Sequence, residues 1–473
     1  MRQSRRDFMS MAVAVPVAHA LKTQWEATGT IYWNREIAVM DGFGASGAFH
    51  MARNLQNAPE SLRNEILDLL FSTAKGAGLS IVRNIIGDGG SWGTPLNGPT
   101  PSIEPIEGKW NWAGDEGEIW FMRQAAARGC TRYISTVWSP PAWMKTNNNV
   151  IHGGLDPGKR QAFAEYLAAY VRGYREHHGI DIDAVSPTNE PDVTVNYSSC
   201  YWSGEELRLL VKDHIAPTFA RQGIRAKLIL GENSTWSEAP ALPSLIDPAT
   251  APSIDIVATH AYLNSEEGAF PPISSRSGVL PVAAGRLNKT IWMTEVSAGG
   301  GNITEIVDGL YWAKLLHTHV VENSVTAWFY WWAISIYNSR GSLISLDLKN
   351  HTFVAPKRLY TIGNYSRFIR PGFVRIFIEP PPQLSRGVYL SAYKNESTKQ
   401  LVLVAINDNY RPETVRITLD SAAASSLSVY RTSETESLAQ LEPLPVSGNT
   451  LTLQLRGASV TTFSGTAEPA VME

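Results

Sequence analysis

Residues 59–87 read PESLRNEILDLLFSTAKGAGLSIVRNIIG. In the first two thirds, apolar residues recur at three-and-four spacing, the period of a helix with one buried face, and Gly76 and Gly78 supply its stop. The remainder, LSIVRNIIG, is a short apolar run of the kind that forms a strand buried on both faces. Working outward, the same helix-then-strand unit repeats. Strand candidates are AVMDGFG, LSIVRNIIG, TRYISTVW, IDAVSPTNE, AKLILGEN, IDIVATHAY, TIWMTEVS and VTAWFYWWA, separated by helical patterns such as GKRQAFAEYLAAYVRGYREHHG. Eight strands with helices between them predict an α/β chain folded as a (β/α)₈ TIM barrel over residues 39–370. An open doubly wound sheet is the structural alternative.

Beyond Pro371 the pattern changes. FVRIFIE, GVYLSAYKN, QLVLVAIND, ETVRITLD, LSVYRTS, LTLQLRG and VTTFSG alternate without helices and are split by Gly, Pro, Asn and Ser turns, which predicts an antiparallel β-sandwich. The strand-like segment from Thr28 to Ile37 is expected to join it, giving a side domain built from residues 21–38 plus 371–473. Residues 1–20 read as an export signal of twin-arginine type: SRRDFM, then the apolar MAVAVPVA, then Ala18-His19-Ala20 as a cleavage site. The product is expected in the periplasm or outside the cell, off the membrane once the signal is removed, and monomeric. The two cysteines, Cys130 and Cys200, fall near opposite ends of a parallel barrel and are expected to stay free thiols.

A formal net charge of −3 with 18% charged residues and no basic or acidic block gives no reason to expect nucleic acid or an anionic surface as partner. The aromatic content of 10%, with 15 tryptophans, suits stacking on sugar rings as well as core packing. A barrel displays its chemistry at the C-terminal ends of its strands, and two of those ends carry a glutamate: Glu190 in AVSPTNEP and Glu295 in TIWMTEVS. Cleaving a glycosidic bond needs one carboxyl group to protonate the departing oxygen and a second to attack the sugar or activate water. Asn189 presents an amide for a sugar hydroxyl. Arg83, His260 and Tyr262 end other strands, where they are either partners of the carboxylates or satisfied core groups. Tyr197 lies in the polar, aromatic loop after Glu190; Trp138 and Trp331 are either walls of a sugar site or core. Zinc-type Cys/His spacing and an EF-hand loop do not occur, so neither metal nor cofactor is expected; Asp88-Gly89-Gly90 is too short for a phosphate loop and lacks its lysine, and Ser46 lies in GASGA rather than in a Gly-x-Ser-x-Gly elbow, which disfavours nucleotide binding and a serine hydrolase.

DGFGASGAF, LSIVRNIIG, WSPPAWMKTNN, PTNEP, ATHAY, WMTE and TIGNYSRFIRPG, in that order, resemble glycoside hydrolase family 30, and most of all its xylan-acting, largely fungal branch. The resemblance spans essentially the whole chain after the signal. It implies a retaining glycosidase with Glu190 as general acid/base, Glu295 as nucleophile and the carboxyl groups about 5 Å apart. It also implies that Arg83, Trp138, Asn189, His260, Tyr262 and Trp331 line the subsite of the attacked sugar. Members that read glucuronic acid branches use an arginine after the first strand. Here Met51 takes that position, with Arg53 offset, which leaves branch dependence open. The expected substrate is β-1,4-xylan. β-1,6-Galactanase, β-glucanase and glucosylceramidase-like activities are the alternatives within the same chemistry, and a non-catalytic carbohydrate-binding barrel is the one outside it.

Overall fold

The computed structural model describes residues 27–49, 51–90, 100–237, 239–262, 285, 287–379, 383–385, 387–446 and 448–469. Residues 1–20, expected to be an export signal, lie outside them. Strand β1 (Ala27–Val39) runs outside the barrel. The barrel is formed by β2 (Gly42–Ser46), β3 (Ile81–Ile86), β4 (Arg132–Val137), β5 (Ala184–Ser186), β6 (Lys227–Asn233), β7 (Ile256–His260), β8 (Thr290–Glu295) and β9 (Val325–Ser335). Each strand pairs in parallel with the next, and β9 also pairs with β2, so the sheet closes. The closed eight-stranded barrel confirms the alternation read from the sequence and excludes the open sheet.

The barrel is filled rather than hollow. Ile81, Ile134, Ala184, Ile229, Ile256, Trp292, Ala327 and Phe329 form one buried cluster inside it, as interior-facing positions of parallel strands must. At the base, Asp41 accepts from Arg132 at 2.9 Å, Trp292 Nε1 at 2.9 Å and Thr326 at 2.7 Å, tying β4, β8 and β9 together. Two short strands extend the sheet beyond β9: β10 (Ser342–Asp347) and β11 (Thr352–Val354). The sequence reading assigned neither.

The second sheet system runs from Val374 to Pro469 and takes in β1, which lies between strand Val374–Glu379, antiparallel, and strand Glu413–Asp420, parallel. The sandwich is therefore mostly, not wholly, antiparallel, because a strand arriving from the far end of the chain is free to pair in either direction. Its interior is a separate apolar cluster that includes Ile31, Trp33, Leu403, Ile417, Leu453 and Phe463. The segment KRLYTIGNYS forms a helix, Lys357–Ser366, that joins the two bodies. Its fully buried Arg358 pairs with Asp308 at 2.8 Å, and its Asn364 donates to Thr462 at 3.0 Å.

On the barrel flank, Glu118 of the helix Glu116–Ala126 is fully buried beside Asp115. Burial and the Asp115 charge push the Glu118 carboxyl well above its ordinary range, and burial pushes Asp115 up to about 6. A raised carboxyl pKa means that the folded state holds a proton the unfolded chain has lost, so stability from this site is present at low pH and lost as pH rises. Glu118→Gln should therefore melt a few degrees above wild type at pH 8, with the difference vanishing below the unfolded-state carboxyl pKa. Thermal melts across pH check this.

Candidate active site

β5 is short because Pro187 lacks the N–H that would continue the ladder. The chain therefore turns after Ser186, and Glu190 stands on the loop just beyond the strand rather than on the strand itself. Its backbone adopts φ +44°, and that of Glu232 on β6 adopts +54°, a left-handed conformation that costs a non-glycine residue about 1–3 kcal/mol. The two strained residues hold each other: the Glu190 N–H donates to the Glu232 carbonyl at 2.9 Å. Glu295 ends β8.

The structure brings the sequence-predicted residues to one place at the C-terminal mouth. Arg83 Nη1 donates to Glu295 Oε2 at 2.6 Å, and Arg83 Nη2 to Asn189 Oδ1 at 2.7 Å. With its oxygen so engaged, Asn189 keeps its NH₂ as the donor end of the amide. Tyr262 donates to Glu295 Oε1 at 2.9 Å. His260 Nδ1 lies 3.1 Å from Glu190 Oε1. One oxygen of Glu190, one nitrogen of His260 and one oxygen of Glu295 all fall within 4.8 Å of one another. The Glu190 and Glu295 side chains keep 12% and 6% exposure, so both reach the mouth.

Aromatic rings wall this centre. Trp138 and Trp331 lie 5.8 Å apart, and the Arg83 guanidinium sits 4.6 Å over Trp138. Phe49, at φ +59°, wedges edge-on against Trp138, Tyr197 and Trp331. Met51 is fully buried in the same cluster. Phe49 was missed in the sequence because nothing in GASGAF signals a positive φ at a phenylalanine.

Glu232 was missed as well. It is fully buried below the two carboxylates, with Oε2 2.9 Å from His260 Nε2, 2.5 Å from Thr294 Oγ1 and 3.5 Å from Arg83 Nη2. A signal for it existed: AKLILGEN ends a strand in a glutamate just as TIWMTEVS does.

The charges follow from these contacts. Burial works against ionisation of Glu232, but Arg83 and His260 hold its carboxyl below the ordinary range. Burial also opposes a charge on His260, yet the carboxylates of Glu295, Glu190 and Glu232 outweigh it and keep the imidazolium to about pH 10. Burial raises the Glu295 carboxyl, with His260 and Arg83 opposing and Glu190 adding to the rise. Two cations thus face three carboxyl groups. Burial raises the Tyr262 phenol far above its usual value, so it remains a donor. A metal ion among Glu190, His260 and Glu295 would compete with Arg83 for Glu295 and with the hydrogen bond of whichever His260 nitrogen it took.

The family model described as glycosyl hydrolase family 59 matches residues 40–347. Glucuronoxylanase XynC of Bacillus subtilis (strain 168) is 27% identical over 356 residues, covering 73% of this chain and 77% of that protein. Endo-1,6-beta-D-glucanase BGN16.3 of Trichoderma harzianum is 28% identical over 242 residues, 47% of this chain and 48% of its own. Among solved structures, the catalytic domain of GH30 xylanase C from Talaromyces cellulolyticus superposes with a TM-score of 0.77 at 28% identity, covering 92% of this chain and 99% of that one.

Proposed function

The chain belongs to glycosyl hydrolase family 59 by its match over the barrel and shares motifs and fold with the family 30 xylanases, and on that basis we propose that it is a retaining β-glycosidase cleaving β-1,4-xylan. The observation that carries the mechanism is the approach of Glu190 and Glu295 to within 4.8 Å. Carboxyl groups about 5–5.5 Å apart suit direct attack on the sugar, whereas an inverting pair needs about 6.5–9.5 Å to admit a water.

Glu295, oriented by the hydrogen bonds it accepts from Arg83 and Tyr262, attacks the anomeric carbon as the carboxylate while Glu190 gives its proton to the departing glycosidic oxygen. The bond formed is an ester between Glu295 and the sugar. Glu190, now a carboxylate, removes a proton from water; the water oxygen attacks the same carbon, and Glu295 leaves as carboxylate. The Asn189 amide is placed to donate to the sugar 2-hydroxyl, a hydrogen bond that strengthens as the oxocarbenium-like transition state forms. Trp138, Tyr197 and Trp331 supply faces for the ring.

Xylan is favoured by the xylanase relatives, and independence from glucuronate branches by Met51, whose buried thioether carries no charge to read an acid. β-1,6-Glucan is the second reading, favoured by the fungal glucanase relative. The twin-arginine segment Met1–Ala20 supports export, and we propose a monomer. Product profiling on glucuronoxylan, arabinoxylan, linear xylo-oligosaccharides, β-1,6-glucan and β-1,6-galactan tests the substrate. Cleavage of linear xylo-oligosaccharides is the expected result; activity confined to the 1,6-linked polymers would overturn the xylan assignment.

A further inference from the structure

Glu232 is the most heavily bound side chain in the site, and the reaction as written does not use it. Its carboxylate is fully buried and accepts from His260 on β7, Thr294 on β8 and, at 3.5 Å, Arg83 on β3; Thr136 on β4 lies 3.4 Å from its other oxygen. Its carbonyl takes the Glu190 N–H. The strand is deformed to place it. Pairing of β6 with β7 shifts register between Gly231 and Asn233, a bulge that re-aims a side chain. Gly231 itself sits at φ +115° with the position of a Cβ only 2.3 Å from the Ala258 carbonyl. A buried charge and strained backbone both cost stability, so a purely structural filler would be met more cheaply by an apolar residue.

We infer that Glu232 is the positioning residue of the site: it fixes His260 as the imidazolium and, through His260 Nδ1 and the Glu190 N–H, holds Glu190 in place for proton transfer. This rests on the roles proposed above for Glu190 and Glu295. With Glu232 ionised, both His260 N–H groups have an acceptor, one in Glu232 and one in Glu190. Without it, Nε2 loses its acceptor, the imidazolium loses a neighbouring anion, and a neutral imidazole competes for the proton that Glu190 must deliver. The ionisable groups facing this centre are Arg83, Glu190, His260, Tyr262 and Glu295, with Tyr197 at the wall. Among the described residues, only Glu232 contacts both cations and lies out of reach of substrate.

The test compares wild type, Glu232→Gln and Thr294→Val, the last removing one hydroxyl donor from Glu232 with little change of shape. ¹⁵N-histidine spectra between about pH 5 and pH 10.5 report the charge on His260, and pH profiles of kcat/KM on the best substrate report its consequence. In wild type His260 is expected to stay an imidazolium until about pH 10. In Glu232→Gln its midpoint should fall by about one pH unit or more, the alkaline limb of activity should move with it, and kcat should drop on the order of 10²-fold with KM little changed. Thr294→Val keeps the Glu232 charge and leaves it a more basic acceptor, so it should shift both in the opposite direction by a smaller amount. A folded Glu232→Gln protein with an unmoved His260 midpoint and profile would overturn the inference. Should Glu232→Gln fail to fold, an unmoved midpoint in Thr294→Val would do so. The spectra need no turnover, so an inactive wild type would defeat the proposed function and still leave the charge on His260 measurable.

Discussion

Glutamine in place of Glu295 is expected to remove turnover of every glycoside, activated or not, by about four orders of magnitude or more. The amide oxygen can still accept from Arg83 or Tyr262, which now hold the two carboxylate oxygens at 2.6 and 2.9 Å, so the fold should survive. What is lost is the lone pair that forms the ester. Because three carboxyl groups crowd against two cations, removing one also relieves repulsion with Glu190, and melting should stay close to wild type. Thermal melts and activity on an aryl glycoside and on a polysaccharide check both halves. Loss of fold with loss of activity would make Glu295 a structural residue; retained activity on either substrate would remove it from the role of nucleophile.

Glutamine in place of Glu190 should behave differently, and the difference is diagnostic. A natural glycosidic oxygen is a poor leaving group and needs a proton as it departs, so its hydrolysis should fall by about 10²–10⁴-fold. An aryl glycoside with an acidic phenol leaves without help, and its first step should be nearly unaffected. The second step lacks its base, so the glycosyl-enzyme should accumulate as a burst, and azide, which needs no deprotonation, should restore turnover. Equal loss on both kinds of substrate, with no rescue by azide, would show that Glu190 does not transfer the proton.

Much of this was legible before any coordinates. The barrel announced itself because parallel strands buried on both faces read as apolar runs, and the helices between them carry a 3.6-residue period. Glu190 and Glu295 were legible because a carboxylate closing such a run falls at the C-terminal end of the barrel, where a barrel displays its chemistry. Arg83, Asn189, His260 and Tyr262 were visible as candidates one at a time, but their convergence on the two carboxylates is a matter of register between strands far apart in sequence. Glu232 carried the same strand-end signal and was passed over, since the sequence does not say which of several strand-end glutamates faces the mouth and which lies beneath it. That distinction depends on the bulge at Gly231, a backbone event. Strand Ala439–Pro445 was illegible for another reason: its sequence, AQLEPLP, contains two prolines and is largely exposed, as suits an edge strand.

The central claim is a covalent sugar ester on Glu295, and trapping it tests that claim most directly. Incubation with a 2-deoxy-2-fluoro-β-glycoside of the preferred sugar, bearing a good leaving group, should slow both steps but slow hydrolysis of the ester more. The expected result is a stoichiometric gain of one fluorosugar mass, mapped by peptide sequencing to Glu295 in TIWMTEVS. Label on a different residue, or hydrolysis that releases the inverted anomer with no label at all, would contradict it.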